Sequence, residues 1–164
     1  MISEYEQLTN DSLFKTWQEQ HSEAFLTHFF CQLDSDLKKK SSWEVGYYDK
    51  DKITVFVVGE KIEIKPEDDV FKKPNESVEK LDLNLVKISF EEAVKVFKEE
   101  FPKVFPDGKL GDGFLILQKY QQKLLWNFTF IDKRLKFLNL KIDAVEGKVS
   151  SHQTVDLVQK SNSQ

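Results

Sequence analysis

The sequence predicts an α+β fold built from two tandem units, each with a helix packed on an antiparallel sheet in an αβββ order. Three observations lead to this prediction. From Trp126 onward, large aromatic residues alternate with polar ones, which is typical of a half-buried strand. Upstream of that strand, Ser89 opens a helix with an apolar stripe. A weaker version of the same order of elements occurs around Trp43.

The composition is that of a globular chain with a substantial core. The 164 residues are 40% hydrophobic and include 14 Phe and 3 Trp, an aromatic load that we expect to serve packing. This length can bury a core as one domain or as two small ones. We assign residues 1–66 to the first unit, 67–87 to a linker, 88–158 to the second unit and 159–164 to a disordered tail.

The first unit is predicted to begin with helical structure. Ser3 and Glu6 have the spacing of a capping box, which would start a short helix. Apolar residues recurring every four positions predict a helix over residues 12–21. Residues 24–33 are rich in Phe and end at a polar Asp-Ser-Asp sequence, which favours a strand, although a continuation of the helix stays open.

Three strands are expected to complete the first unit. Residues 43–49 (WEVGYYD) alternate in polarity, residues 53–58 (ITVFVV) are apolar on both faces, and residues 61–65 (KIEIK) suit a short strand. One face of ITVFVV is expected to meet the helix, and the other to meet the second unit or a partner. The acidic, proline-containing residues 66–85 are then a linker with one short helix over residues 76–81.

The second unit opens with the clearest helix of the chain. Ser89 and Glu92 have capping-box spacing, an apolar stripe runs to Phe101, and Pro102 is expected to end the helix. The glycine-rich residues 106–113 lack the Lys-Ser/Thr ending of a phosphate loop. They are therefore expected to form a mobile connection.

A hairpin forms the centre of the second unit. Residues 114–125 are expected to be one strand that leads into the alternating residues 126–130. A turn at residues 132–134 separates these from the alternating residues 138–142, and Glu146-Gly147 offers a further turn. The C-terminal residues are expected to add an edge strand before the chain frays.

The second half resembles the PepSY domain family. The residues that carry the resemblance are ISFEEAVKVFKEEFP (88–102), WNFTFID (126–132) and LKIDAVEGKV (140–149), which correspond to the helix, the Trp-led strand and the closing strand of that family. The first half resembles a degenerate copy, because WEVGYYDK (43–50) repeats the pattern of WNFTFIDK (126–133). The tandem arrangement is also similar in outline to a proteinaceous β-lactamase inhibitor, by analogy of fold alone.

The resemblance implies a fold and a type of function. PepSY domains have a helix packed on an antiparallel sheet, and they occur in propeptides of secreted metallopeptidases and in cell-envelope proteins. Inhibition or regulation of peptidases has been proposed for them. By this resemblance, the chain would be a regulatory module that acts on a peptidase.

The charge pattern argues against a nucleic-acid partner. The formal net charge is −4, and Arg134 is the only arginine in the chain. Arginine is the residue that forms bidentate contacts with phosphates and bases, and nucleic-acid binding generally requires a basic surface. We therefore expect no nucleic acid among the partners.

No pattern of catalytic or metal-binding residues is visible. The three histidines, His21, His28 and His152, share no ligand spacing with one another or with Cys31. Cys31 lies in an apolar stretch, which favours an inert core thiol. No dinucleotide fingerprint or nucleophile elbow is present. We therefore expect neither an enzyme nor a cofactor.

The sequence also gives an expectation for location. No apolar run approaches the length of a membrane span, and the first residues do not form a signal peptide. The chain as it stands is expected to be soluble and cytoplasmic. Removal of a leader would instead point to the cell envelope or to secretion.

These observations favour a non-enzymatic binding or regulatory module. A helix-on-sheet unit leaves one sheet face uncovered, and such a face can recruit a protein partner. The alternation places Tyr48, Phe56 and Phe137 opposite the core, so we predict them as binding residues, with burial between the two units as the alternative. A second functional hypothesis is a carrier of an apolar small molecule, held in a cavity between helix and sheet.

Overall fold

A computed structural model describes residues 1–69 and 77–157. Three α-helices, one 3₁₀ turn at Leu83–Leu85 and nine strands form the described structure. In chain order, the helices and strands are α1 (Ile2–Asn10), α2 (Ser12–Gln20), β1 (Phe25–Leu33), β2 (Trp43–Asp49), β3 (Lys52–Val58), β4 (Ile62–Ile64), β5 (Asp68–Asp69), α3 (Phe90–Val104), β6 (Leu110–Tyr120), β7 (Lys123–Asp132), β8 (Lys136–Asp143) and β9 (Val149–Asp156).

All nine strands belong to one antiparallel sheet. Eight of them follow the order β4-β3-β2-β1-β6-β7-β8-β9, and the two-residue β5 pairs with β3. The prediction of two tandem αβββ units is therefore wrong. The two halves are joined where β1 pairs with β6 over six residue pairs, among them Phe29 with Leu117 and Cys31 with Leu115. The boundaries at residues 66 and 87 stay predictions.

The helices cover one face of this sheet. In the first half, Phe14 and Trp17 of α2 pack on Tyr47 and Phe56 with ring centroids 5.0–5.6 Å apart. In the second half, Phe97 of α3 packs on β7, 4.6 Å from Phe128 and 5.3 Å from Phe130. Both helical layers lie on the same side, which we call the covered face.

Phe90 connects the packing of the two halves. Its ring lies 5.4 Å from Trp43 on β2 and 6.4 Å from Trp126 on β7. Both tryptophans are at most 1% exposed. The two Trp-led strands therefore contribute to one continuous core.

The start of α3 is as predicted. Ser89 accepts a hydrogen bond from the backbone N–H of Glu92, and the Glu92 carboxylate accepts one from the backbone N–H of Ser89, which confirms the capping box. The predicted end is wrong, because the helix passes Pro102 and ends at Val104. A proline this close to a C-terminus removes one helical hydrogen bond, the one to the carbonyl of Lys98, and the last turn tolerates that loss.

Two features of the second half differ from the prediction, and the first is a turn that forms without glycine. Gln121 and Gln122 adopt φ values of 48° and 66°, so the strand expected over residues 114–125 is divided into β6 and β7. A two-residue hairpin turn of this kind usually contains Asn or Gly. The expected mobile connection over residues 106–113 is shorter, because β6 already begins at Leu110.

A buried carboxylate organises the end of the β7–β8 hairpin. Asp132 is 0% exposed and accepts hydrogen bonds from the backbone N–H groups of Lys109 and Arg134 and from the Arg134 guanidinium. These bonds hold the pKa of the Asp132 carboxyl well below its usual range. The turn predicted at residues 132–134 is confirmed, and the only arginine of the chain serves to stabilise it.

The remaining expectations have mixed outcomes. A helix was predicted over residues 76–81, but residues 77–81 are not helical and residue 76 lies outside the described part. Strand β9 confirms the expected C-terminal edge strand. The tail predicted over residues 159–164 also lies outside the described residues.

We predict that Trp126→Ala lowers the free energy of unfolding by about 3–5 kcal/mol. The substitution removes a fully buried ring and the 2.8 Å hydrogen bond that the indole N–H donates to the carbonyl of Ile88. Urea denaturation followed by circular dichroism would measure the change. Tyr120→Ala, at a position 40% exposed, is the control and should change stability by less than about 1 kcal/mol.

Because the core is continuous, the variant should still unfold in one transition. A first half that keeps its structure after the second half has melted would contradict this expectation.

Candidate functional site

The face of the sheet opposite the helices is the main candidate for a functional surface. We call it the open face. An antiparallel sheet with one exposed face usually presents polar residues there. On this face, however, most strands present large apolar side chains, as the strand register shows. These are Phe30, Ile53, Val55, Val57, Phe114, Ile116, Leu125, Ile131, Phe137 and Val155.

Exposure divides these residues into buried, intermediate and exposed groups. Leu125 is buried without belonging to the core under the helices, whereas Ile131 and Val155 are 42% and 47% exposed. Phe30 and Phe114 are half-buried neighbours, with ring centroids 5.7 Å apart. The apolar side chains therefore cover one another in part and still present apolar surface to solvent.

Several charged groups at the open face have partners within the same chain. Lys65 pairs with Glu44, and the Lys40 ammonium lies 2.8 Å from a carboxylate oxygen of Asp112. The Lys141 ammonium donates to the side-chain oxygen of Asn139 at 2.8 Å. The two ion pairs carry no net charge, whereas the Lys141 ammonium keeps its positive charge.

An amide ladder holds the polar positions of this face in place. The Asn139 side-chain amide donates to Asn127 Oδ1 at 2.6 Å and to Thr129 Oγ1 at 2.9 Å. The three residues lie on the neighbouring strands β7 and β8. These polar groups already have hydrogen-bond partners within the chain. The face is therefore preorganised, and its hydrogen bonds do not need to rearrange when a partner binds.

A cleft of roughly 230 Å³ lies in the open face, where β1, β6, β7 and β8 approach the Lys40–Asp112 pair. We call it the Phe30 cleft. Aromatic and aliphatic side chains form its walls, and two uncharged polar residues lie beside them. The lining residues are Phe30, Gln32, Leu33, Lys40, Asp112, Gly113, Phe114, Thr129, Ile131 and Phe137.

His28 fills a different part of the open face, above Gly46 on the neighbouring strand. A Cβ atom at Gly46 would lie 2.0 Å from Cε1 of His28, so only glycine leaves room for the ring. Nδ1 of His28 lies 2.8 Å from the hydroxyl of Thr27. Burial lowers the pKa of His28, and the negative charge of Glu44 partly opposes that shift.

Two of the three predicted binding residues lie on the open face. Phe137 lines the Phe30 cleft. Tyr48 packs on Phe25 at 5.3 Å, and its hydroxyl donates to the Asp51 carboxylate at 2.7 Å. Their role as binding residues stays a prediction.

The predicted placement of Phe56 is wrong. Phe56 pairs with Val45, so it shares the covered face with the core of β2, and its side chain is 0% exposed. Strand β3 is apolar on both faces, and its own sequence does not show which face the helices cover.

The open face does not bring Tyr48 and Phe137 together. Their strands, β2 and β8, are four strand spacings apart, roughly 19 Å at the usual separation. Sequence reasoning missed Phe30 and Phe114, which are closer to Phe137. The position of Phe30 could have been predicted from the adjacent pair Phe29 and Phe30. Adjacent residues of a strand point to opposite faces, so one of the two must lie on the open face.

Cys31 and the possible metal ligands are the residues at which catalytic chemistry would be sought. Cys31 is 0% exposed, and burial raises the pKa of its thiol to about 12, so the thiolate is disfavoured. Residues 1–69 and 77–157 contain no group of three or more His, Cys, Asp or Glu side chains arranged to hold a metal ion. No helix in these residues has the length and apolar character needed to cross a bilayer.

Comparison with known proteins identifies a fold but no family. No protein-family model matches the sequence, and no curated protein matches it. The crystal structure of "a putative lipoprotein" from Clostridium difficile 630 is similar, with a TM-score of 0.54 and 17% identity over 87% of this chain and 90% of that chain. At this level of identity, the similarity shows that the two chains share a fold.

We predict that Phe56→Ala and Phe137→Ala differ clearly in their effect on stability. Phe56→Ala removes a fully buried ring and should cost about 3–5 kcal/mol. Phe137→Ala removes a partly exposed ring and should cost less than about 2 kcal/mol. Urea denaturation of the two variants measures the difference, and equal losses would contradict the division into covered and open faces.

The lowered pKa of His28 predicts a pH dependence of stability. Below pH 6.5, the ordinary pKa of histidine, His28 binds a proton in the unfolded chain but resists protonation in the folded chain. The free energy of unfolding should therefore fall as the pH falls through 6.5. Melting temperatures measured from pH 7.5 to pH 5.0 should fall more steeply for the wild type than for His28→Asn. Parallel curves for the two proteins would show that His28 does not contribute.

Proposed function

We propose that the protein is a non-enzymatic binding module that holds a protein partner on its open face. The observation that supports this proposal is a sheet face, opposite the helices, on which large aliphatic and aromatic side chains lie on most strands. Cores of protein interfaces are enriched in aromatic residues and depleted of charge, whereas a solvated sheet face is polar. The Lys65–Glu44 and Lys40–Asp112 pairs accompany these side chains on the same face, as polar groups do at an interface rim.

The open face is large enough for a specific complex. Eight strands give seven spacings, or roughly 34 Å across the sheet. The longer strands have 7–11 residues, which extends the face by roughly 24–37 Å along the strands. The product is of the order of the 800 Å² that each partner contributes to a standard interface.

A peptidase is the class of partner that the PepSY resemblance suggests, with the chain acting as its inhibitor or regulator. The similar Clostridium difficile protein is described as "a putative lipoprotein". Together, these two similarities support a location in the cell envelope or outside the cell. Peptidase regulation at the cell envelope is therefore the specific form of the proposed function.

A small-molecule carrier is the second candidate, and one pocket favours it. A depression of roughly 420 Å³ lies between α3 and the residues that follow β1, with Leu37, Phe97, Phe101 and Leu110 among its lining. This volume is within the 300–1,000 Å³ range of ligand pockets. This depression lies near the end of α3, so a ligand bound there would not use the open face. Substitutions on the open face can therefore distinguish the two candidate functions.

The proposal predicts that lysine at an apolar position of the open face abolishes partner binding. Wild type, Ile116→Lys and Val57→Lys would be used as baits in the native host, and proteins that co-purify only with wild type would be identified by mass spectrometry. Calorimetry with the purified partner should then show at least a tenfold loss of affinity for both variants. An uncompensated charge in a desolvated interface is costly, which is the physical reason for this loss.

Gln18→Lys is the matched control, because it places the same charge on an exposed position of α2. Thermal melting must show that all three variants are folded. Equal binding by the open-face variants and the control would refute the proposed function. Such a result would leave the pocket beside α3 as the better candidate.

A further inference from the structure

We propose that the Phe30 cleft receives one tryptophan or tyrosine side chain from a loop of the protein partner. This inference rests on the proposed function and specifies the contact that anchors the complex. The cleft lies at the ends of the two central strands of the sheet, β1 and β6. Residues that dominate binding energy fill well-packed pockets and are enriched in Trp and Tyr.

The size of the cleft suits a single side chain. Its volume of roughly 230 Å³ is below the 300–1,000 Å³ that accommodates drug-sized ligands. A protein side chain brings its own backbone to the surface, so it needs only a cleft that is open to solvent. The dimensions therefore favour an anchor residue over a free small molecule.

The walls of the cleft favour an aromatic side chain. Phe30 and Phe114 are tilted by 32° at 5.7 Å, and Phe137 also lines the cleft. Aromatic rings gain energy from offset or edge-to-face contacts beyond the burial of their area. A third ring that enters this cleft can make such contacts with its neighbours.

The polar groups of the cleft favour a neutral side chain with a polar tip. Lys40 and Asp112 pair with each other at 2.8 Å, so the rim offers no net charge to a charged ligand. In the described part of the chain, the side-chain amide of Gln32 has no hydrogen-bond partner. This amide can accept from an indole N–H or a phenol O–H, which distinguishes Trp and Tyr from Phe.

Two glutamines on the open face provide a variant that fills the cleft and a matched control that does not. Gln32, Phe114, Thr129, Asn139 and Gln153 form one row across five strands of the open face. Gln32 lines the cleft and Gln153 lies outside it, and both are exposed. Gln32→Trp therefore fills the cleft, whereas Gln153→Trp adds the same ring to the same face without filling it.

The first measurement uses the protein alone. N-acetyl-tryptophanamide and N-acetyl-tyrosinamide are titrated into ¹⁵N-labelled protein, with N-acetyl-leucinamide and N-acetyl-argininamide as controls. We expect weak binding by the two aromatic amides, on the order of 1 mM, with shifts at Phe30, Phe114 and Phe137. Gln32→Trp should abolish these shifts and Gln153→Trp should retain them. Equal shifts with leucinamide or argininamide, or shifts confined to other residues, would overturn the proposal.

The second measurement uses the partner identified on the open face. Gln32→Trp should weaken its binding at least tenfold, and Gln153→Trp less than threefold. If Ile116→Lys abolishes binding while Gln32→Trp does not, the proposed function stands and the anchor site is refuted. If neither variant weakens binding, both proposals fail.

Self-association is tested separately, since Tyr120 is 40% exposed and a second copy could insert it into the cleft. A concentration-dependent dimer that Tyr120→Ser abolishes would overturn the assignment of the cleft to another protein. Sedimentation of the wild type as a monomer at all concentrations would support it.

Discussion

The pairing of β1 with β6 is the contact on which the rest of the structure depends. It joins two meanders of four strands into a sheet that is eight strands wide, and it places residues such as Phe29 and Leu117 side by side on the covered face. Both helical layers then lie on the same side, where Phe90 fills the space between Trp43 and Trp126. Because no strand edge is left at the centre, the halves share one core and are expected to fold together.

The same pairing explains the open face. The three helices of the described residues cover one side of the sheet, and no helix within residues 1–69 and 77–157 covers the other side. A chain selected only for stability would present polar residues there, because exposed apolar surface promotes association. Phe30, Phe114 and Phe137 are instead partly exposed around a cleft. This aromatic surface is the feature on which the proposed binding function rests.

The polar groups of the open face are consistent with a preformed surface. The Asn139 ladder and the Lys40–Asp112 pair are satisfied within the chain, so a partner would not need to reorganise them. The close contact of His28 with Gly46 fixes a second region of the face in the same way. A rigid surface pays less conformational entropy on binding, which favours recognition of a folded partner.

The sequence by itself determined the local elements. It specified the capped helix from Ser89, both Trp-led strands and the turn at residues 132–134, because capping, alternation and turn formation depend on residues close in the chain. Only the tertiary structure decided that the halves share a sheet, that Phe56 belongs to the core and that Phe30 lies beside Phe114. These facts depend on which strand edges pair across about 90 residues of chain, and periodicity along one strand carries no information about its neighbour. The candidate site was therefore predictable as an uncovered face, but its cleft was not.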